Sequence, residues 1–310
     1  MTEINREHKD RVFKFIFGNP ENKAWTLSLY NAVNGSQHSN PDDIEFNTIE
    51  DAVYVGMKND VLFIILNEMN LWEHQSSFNP NMPMRFFIYS CKLYEKNTET
   101  SDYFKFSSRL QPLPKPNCLC FYNGTAEQPD RLDMKLSEAF GGEADIEVKV
   151  HMLNINYGKN RELMEACQPL REYAWLVDKV REHQRVLQNL EAAVDAAINE
   201  MPDSFIIKRF LISNQAEVKG MFLAAYDEEK DRVKALKEQE RLIREAREEA
   251  KQEAESQANE RTAEDMLRDE EPLAKILRYS RLLVERIRQI AQRLCMAWEG
   301  KDKFRFAPVL

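Results

Sequence analysis

With 310 residues, 43% of them hydrophobic and 31% charged, the chain is long enough for one moderate domain with an appendage, or for two domains. No apolar run approaches the roughly 20 residues that cross a bilayer, so no integral membrane contact is expected. The formal net charge of −9 is not the strongly basic balance of a typical nucleic-acid binder.

The charge is unevenly spread. Acids outnumber bases 22 to 16 over residues 1–160 and 17 to 10 over residues 227–271, whereas bases lead 9 to 3 over residues 272–310. A local basic patch is therefore not excluded. The opening "MTEINREHKD" is polar throughout and lacks the apolar stretch of a secretory signal, which predicts a cytoplasmic protein. The five cysteines are odd in number and have no CxxC spacing, which argues against a disulfide framework and against a zinc cage. The five histidines are scattered, with no HxxxH or HExxH spacing, so any metal should sit on oxygen ligands.

In "HKDRVFKFIF", residues 8–17, Val12, Phe13, Ile16 and Phe17 fall at helical spacing and predict a short amphipathic helix ending at Gly18. A second helix is expected from Pro20 to Val33, with Trp25, Leu29 and Val33 on one face and "NGS" at Asn34 stopping it. "DIEF" and "AVYVGM" read as strands. "KNDVLFIILNEMNLWEHQS", Lys58 to Ser76, then reads as a hairpin. Asp60 opens an apolar run from Val61 to Leu66, a polar break covers Asn67 to Asn70, and Leu71 to Gln75 return.

Pro83 is well placed as the first residue of the next helix, whose apolar stripe is expected to be Met84, Phe87, Ile88 and Cys91. Arg85, Tyr89 and Lys92 make a polar stripe beside it. "CLCFYNG" predicts a buried strand running into an Asn-Gly turn, and "IEVKVHMLNIN" a further strand. From Lys159 onward helices dominate. Leu163, Cys167, Leu170, Ala174, Val177 and Val180 step by three or four, as do Leu190, Val194, Ala197 and Met201.

Residues 227–271 are rich in Glu, Arg, Lys and Ala and hold neither Gly nor Pro. Their apolar positions are sparse, which favours a solvated or weakly self-associating helix over a specific coiled coil. Pro272 ends it. Residues 272–298 carry a broad apolar side opposite a basic one, a stripe to be buried within the protein or against another copy rather than on a membrane surface. The chain thus divides into a mixed α/β core over 1–158, a helical extension over 159–226, a long charged helix over 227–271, and a basic amphipathic helix and tail over 272–310.

In an antiparallel pair, opposed residues share a face, as do residues two apart on one strand. With the turn centred between Glu68 and Met69, position 62 faces 75, position 64 faces 73, and Asp60 joins Glu73 and Gln75 on one face. A slip by two residues preserves this, and a slip by one destroys it. Two carboxylates on one face suit a hard divalent cation, and Gln75 could orient a water beside it. Acids at strand ends are also common, so the spacing alone leaves both readings open.

Taken in order, "KDRVFKFIFGN", "MKNDVLFII", "WEHQSSFNPNMPMRFFIYSCKLY", "CFYNG" and "LNINYGKNRELMEAC" resemble the recombination-promoting nuclease and transposase family of bacteria, a branch of the PD-(D/E)XK nucleases. The resemblance covers about residues 8 to 185. It implies a restriction-endonuclease-like core of helix, three-stranded antiparallel meander, helix and further strand, followed here by the all-helical C-terminal region with its long charged helix.

The resemblance further implies that Asp60 and Glu73 ligate Mg²⁺, with Mn²⁺ as a substitute. Gln75 matches the place where the wider class has lysine, and this branch often shows glutamine there. A neutral amide can position water but offers no cation to offset transition-state charge. Many members of the wider class also use an acid on the first helix, for which Asp10 is the candidate, although it equally suits a helix N-terminal charge. Arg85 and Tyr89 match side chains suited to hold a phosphate, and Lys92, on the same polar stripe, could add to them, although an Arg paired with a nearby carboxylate is as ordinary. His74 points to the opposite face and reads as structural. The expected function is a metal-dependent DNA endonuclease associated with recombination or transposition in the bacterial cytoplasm. The alternative is a catalytically inactive nuclease-fold module that self-associates through its helical C-terminal half.

Overall fold

The computed structural model describes residues 12–46, 60–100, 107–299 and 303–306, and the chain divides into two units, Met1–Lys230 and Asp231–Leu310. The first unit opens with α1 (Val12–Phe17), a 3-10 turn over Pro20–Asn22, and α2 (Lys23–Asn34). Gly35 closes α2 in the left-handed conformation, φ 63°, which glycine adopts without a Cβ penalty. Strands β1 (Glu45–Phe46), β2 (Asp60–Ile65) and β3 (Glu68–Gln75) follow, then α3 (Met82–Thr100), β4 (Lys115–Tyr122), β5 (Arg131–Lys135) and β6 (Lys149–Asn154).

These strands form one mixed six-stranded sheet in the order β1-β2-β3-β4-β6-β5. β1, β2 and β3 make an antiparallel meander. β3 pairs in parallel with β4, as β4 does with β6, and β5 closes the edge antiparallel to β6. Parallel neighbours need a long connection, and α3 supplies it between β3 and β4.

Both faces of the sheet are covered, so central strands are apolar on both sides. On one face Val61, Phe63, Ile65, Trp72, Leu119 and Phe121 pack with Phe13, Ile16 and Phe17 of α1 and with residues of α2. On the other, Leu62, Met69, Leu71, Cys118 and Cys120 pack with Met82 and Phe86 of α3. The helices beyond the sheet are α4 (Arg161–Ala166), α5 (Gln168–Leu187), α6 (Leu190–Glu200) and α7 (Lys208–Ser213). The expected stripe of Leu163, Cys167, Leu170, Ala174, Val177 and Val180 is buried, with a break at Cys167, the N-cap of α5, whose first turn holds Pro169.

Helix α8 (Gln215–Arg268) is continuous over 54 residues and passes from the first unit into the second. The second unit adds α9 (Leu273–Ser280), α10 (Val284–Arg293) and a hairpin of β7 (Met296–Glu299) and β8 (Lys303–Phe306). Ile276, Ile287, Ile290 and Ala291 bury themselves against Ala263 and Leu267 of α8. Among the described residues, no helix is long and apolar enough to cross a membrane.

The structure corrects four expectations. The hairpin turn lies at Leu66 and Asn67, φ 47° and 64°, rather than between Glu68 and Met69. Two consecutive positive φ values match the right-handed twist of the flanking strands. The buried side of α3 carries Met82, Phe86 and Leu93, while Met84, Ile88 and Cys91 are exposed, so the helix is rotated from the expected stripe. Residues 131–135 form a strand that the sequence pattern did not suggest. Finally, the single amphipathic helix expected over residues 272–298 is broken at Arg281, φ 55°, into α9 and α10, and then turns into β7. The segment "AVYVGM" lies outside the described residues.

Candidate active site

The hairpin register sets the candidate site. Asp60 pairs directly with Glu73, Leu62 with Leu71 and Ile65 with Glu68. Although the turn moved, it moved by an even number of residues, so positions 60, 73 and 75 still share one face of the sheet. The Asp60 side chain lies outside the described residues, as does Asp10. β3 is held along both edges, since Glu73 also pairs with Cys120 and Gln75 with Tyr122 in the parallel ladder to β4. Backbone pairing on both sides fixes where the Glu73 side chain stands, and pairing with β4 fixes Gln75. Glu73 is 3% exposed and Gln75 5%.

Glu73 is a buried carboxylate whose charge must be balanced locally. Arg85 Nη1 lies 2.8 Å from Glu73 Oε1, and Gln75 Nε2 donates to the same oxygen at 3.0 Å. The Gln75 amide also rests 2.7 Å from the Met82 sulfur. The rotation of α3 is what makes this possible. With Met82 and Phe86 turned onto the sheet, Arg85 comes down over β3, and Tyr89 follows one turn later. Arg85 Nη2 donates to the Tyr89 hydroxyl at 2.9 Å and Nε at 3.3 Å, and the guanidinium carbon lies 5.7 Å from the ring centre. The Arg85 side chain is 35% exposed, so solvent screens the pair, which contributes on the order of 1 kcal/mol. Lys92 lies two turns along α3 from Arg85 and is half-buried.

Sequence reasoning thus located Glu73, Gln75, Arg85 and Tyr89, which the structure brings together. It missed Met82, whose signal was its position three residues before Arg85 on the helix. The donor set suits a hard cation by type, with a buried carboxylate, an amide, and a second carboxylate residue at the opposed register position. Among the described residues, no three His, Cys, Asp or Glu side chains cluster.

His74 points to the other face. Its ring stacks on Phe13 at 5.1 Å between centres, and Nε2 lies 3.0 Å from the Tyr173 hydroxyl. Asn123 Nδ2 donates to that hydroxyl at 3.2 Å, and Arg181 donates to the Asn123 carbonyl. This second polar cluster was missed because Tyr173 and Arg181 sit among the apolar steps of α5, where the periodicity points only to core.

Comparison of the chain with protein-family models, with curated proteins and with solved structures gave no match.

Proposed function

We propose that the protein is a metal-dependent DNA endonuclease with a restriction-endonuclease-like core, acting in recombination or transposition. The observation that carries this reading is the register that sets Asp60 opposite Glu73, with Gln75 on the same face and Arg85 reaching down from α3. The order of helix, antiparallel meander, crossover helix and parallel strand supports it further.

Asp60 and Glu73 would hold Mg²⁺ or Mn²⁺, which when bound supplies Lewis-acid polarisation of a phosphodiester oxygen and a more acidic water. Gln75, already pinned beside Glu73 Oε1, orients the attacking water through its amide. A glutamine brings no positive charge, but the Arg85 guanidinium contacts the same oxygen as Gln75, so a cation stands where one is needed. Released from Glu73, Arg85 steadies the phosphate with the Tyr89 hydroxyl that already accepts from it, and Lys92 adds charge further along the helix.

A second reading has its own support. Arg85 and Gln75 both engage Glu73 Oε1, so the carboxylate has a counter-charge without any metal, which fits an inactive nuclease-fold module. Val233, Leu236 and Ile243 are exposed on α8 and offer a surface for self-association with another copy.

Incubating supercoiled plasmid with the purified protein in Mg²⁺, Mn²⁺ or EDTA separates the two. The nuclease reading expects nicking or linearisation that needs metal and disappears in Asp60→Ala and in Glu73→Ala. Intact plasmid under every condition, with the protein folded, overturns it in favour of the module.

A further inference from the structure

The face of the sheet opposite Glu73 borders a cavity of about 280 Å³, lined by residues of the first unit. Its lining is two-sided in chemistry. Val177 and Val180 of α5 with Met221 and Phe222 of α8 give it apolar walls, whereas Ser76, Asn123, Thr125 and Arg181 contribute polar groups. That combination, an apolar chamber with a few convergent polar groups, is the usual character of a small-molecule site.

Two of those polar groups are incompletely matched. Arg181 Nη1 donates to Asn156 Oδ1 at 2.9 Å and Nη2 to the Asn123 carbonyl, both neutral acceptors. Among the described residues, no salt bridge reaches this guanidinium. Burial is the main cause that pulls its pKa below the ordinary arginine value, and the nearby Tyr173, Asp178 and Tyr122 offset that only in part. Asn123 is 5% exposed, and its amide donates to Tyr173 while its buried Oδ1 accepts no hydrogen bond. Turning the amide over would only exchange which of its two atoms lacks a partner. A buried carbonyl oxygen calls for a donor, as a desolvated guanidinium calls for an anion.

We infer that the cavity binds a small amphipathic hydroxycarboxylate, its carboxylate on Arg181, its hydroxyl on Asn123 Oδ1, and its apolar body against Val177, Val180, Met221 and Phe222. Arg181 is bonded to the carbonyl of Asn123 itself, so the two recognition points are neighbours and the hydroxyl must sit close to the carboxylate along the ligand. The inference is independent of the nuclease reading, because it uses neither Glu73 nor any residue of α3.

Calorimetric titration of the full chain with octanoate, 3-hydroxyoctanoate and octan-1-ol tests it. Octanoate should bind at least about tenfold more tightly than the alcohol, since a charge-assisted hydrogen bond is lost with the carboxylate, and the hydroxy acid should bind more tightly still. Arg181→Gln should erase the difference between acid and alcohol. Ala225→Trp, at a lining residue assigned to neither recognition point, should abolish binding of both acids with the melting temperature unchanged. Equal binding of acid and alcohol to the unaltered chain overturns the inference whatever the variants do. So do the absence of binding heat for either acid at millimolar concentration, and undiminished binding to a folded Ala225→Trp. A hydroxy acid no tighter than octanoate removes Asn123 from the site and overturns the hydroxycarboxylate assignment.

Discussion

The two faces of β3 bury different chemistry. On one, Trp72 meets Phe63 and Phe121 edge to face, with ring centres 4.7 and 5.4 Å apart, inside an aromatic cluster that extends to α1. On the other, Glu73 and Gln75 are nearly as deeply buried as Trp72, and one guanidinium and one amide meet on Glu73 Oε1. Burial alone therefore does not distinguish scaffold from site within one strand. The aromatic face lowers the free energy of the fold, while the polar face spends burial on groups that stabilise little and hold a specific geometry.

Substitutions on the two faces should separate these roles. Trp72→Ala is expected to cost the most, about 3–5 kcal/mol, through lost transfer energy and the cavity it leaves, read as a fall in the urea midpoint. A cost below about 1 kcal/mol would mean that the aromatic cluster is not the scaffold. Gly124→Ala should follow at about 1–3 kcal/mol, because strain in a packed site adds up as overpacking does. A Cβ at Gly124 would stand 2.4 Å from the Ser76 carbonyl oxygen and from the Tyr122 hydroxyl, where β3 and β4 end together. The smallest change is expected for Glu73→Gln, within about 1 kcal/mol of the parent, since the new amide keeps an oxygen for Arg85 and Gln75. Were Glu73→Gln to cost as much as Trp72→Ala, the polar face would be structural and the contrast would dissolve.

How far this arrangement was legible in the sequence varies by element. The facing of Glu73 and Gln75 followed from strand alternation, which is insensitive to where a hairpin turns so long as the displacement is even. The turn itself was misplaced because Leu66 and Asn67 take the conformation that Asn-Gly usually signals, and the eye goes instead to the polar run after them. The stripe on α3 was misjudged because Met84, Ile88 and Cys91 are at least as apolar as Met82 and Phe86, so composition could not tell which face the sheet would take. The face that the sheet takes, with Met82, Phe86 and Leu93, is also the one that sets Arg85 over Glu73. β5 hid in "RLDMK", where only Met134 is fully buried at an edge. The break at Arg281 has no Gly or Pro to announce it, and tertiary packing of α9 and α10 on α8 overrides the helical pattern.

Arg85 has one more implication. Because the counter-charge for Glu73 is carried by α3 itself, the sheet keeps its electrostatic balance in a solution stripped of divalent ions. On the proposed metal-site reading, folding and cation loading would be separate equilibria, in contrast to small zinc domains that unravel when their ion is withdrawn. Loading would instead be a competition, in which an incoming ion must displace an internal guanidinium that is covalently tethered and always at hand.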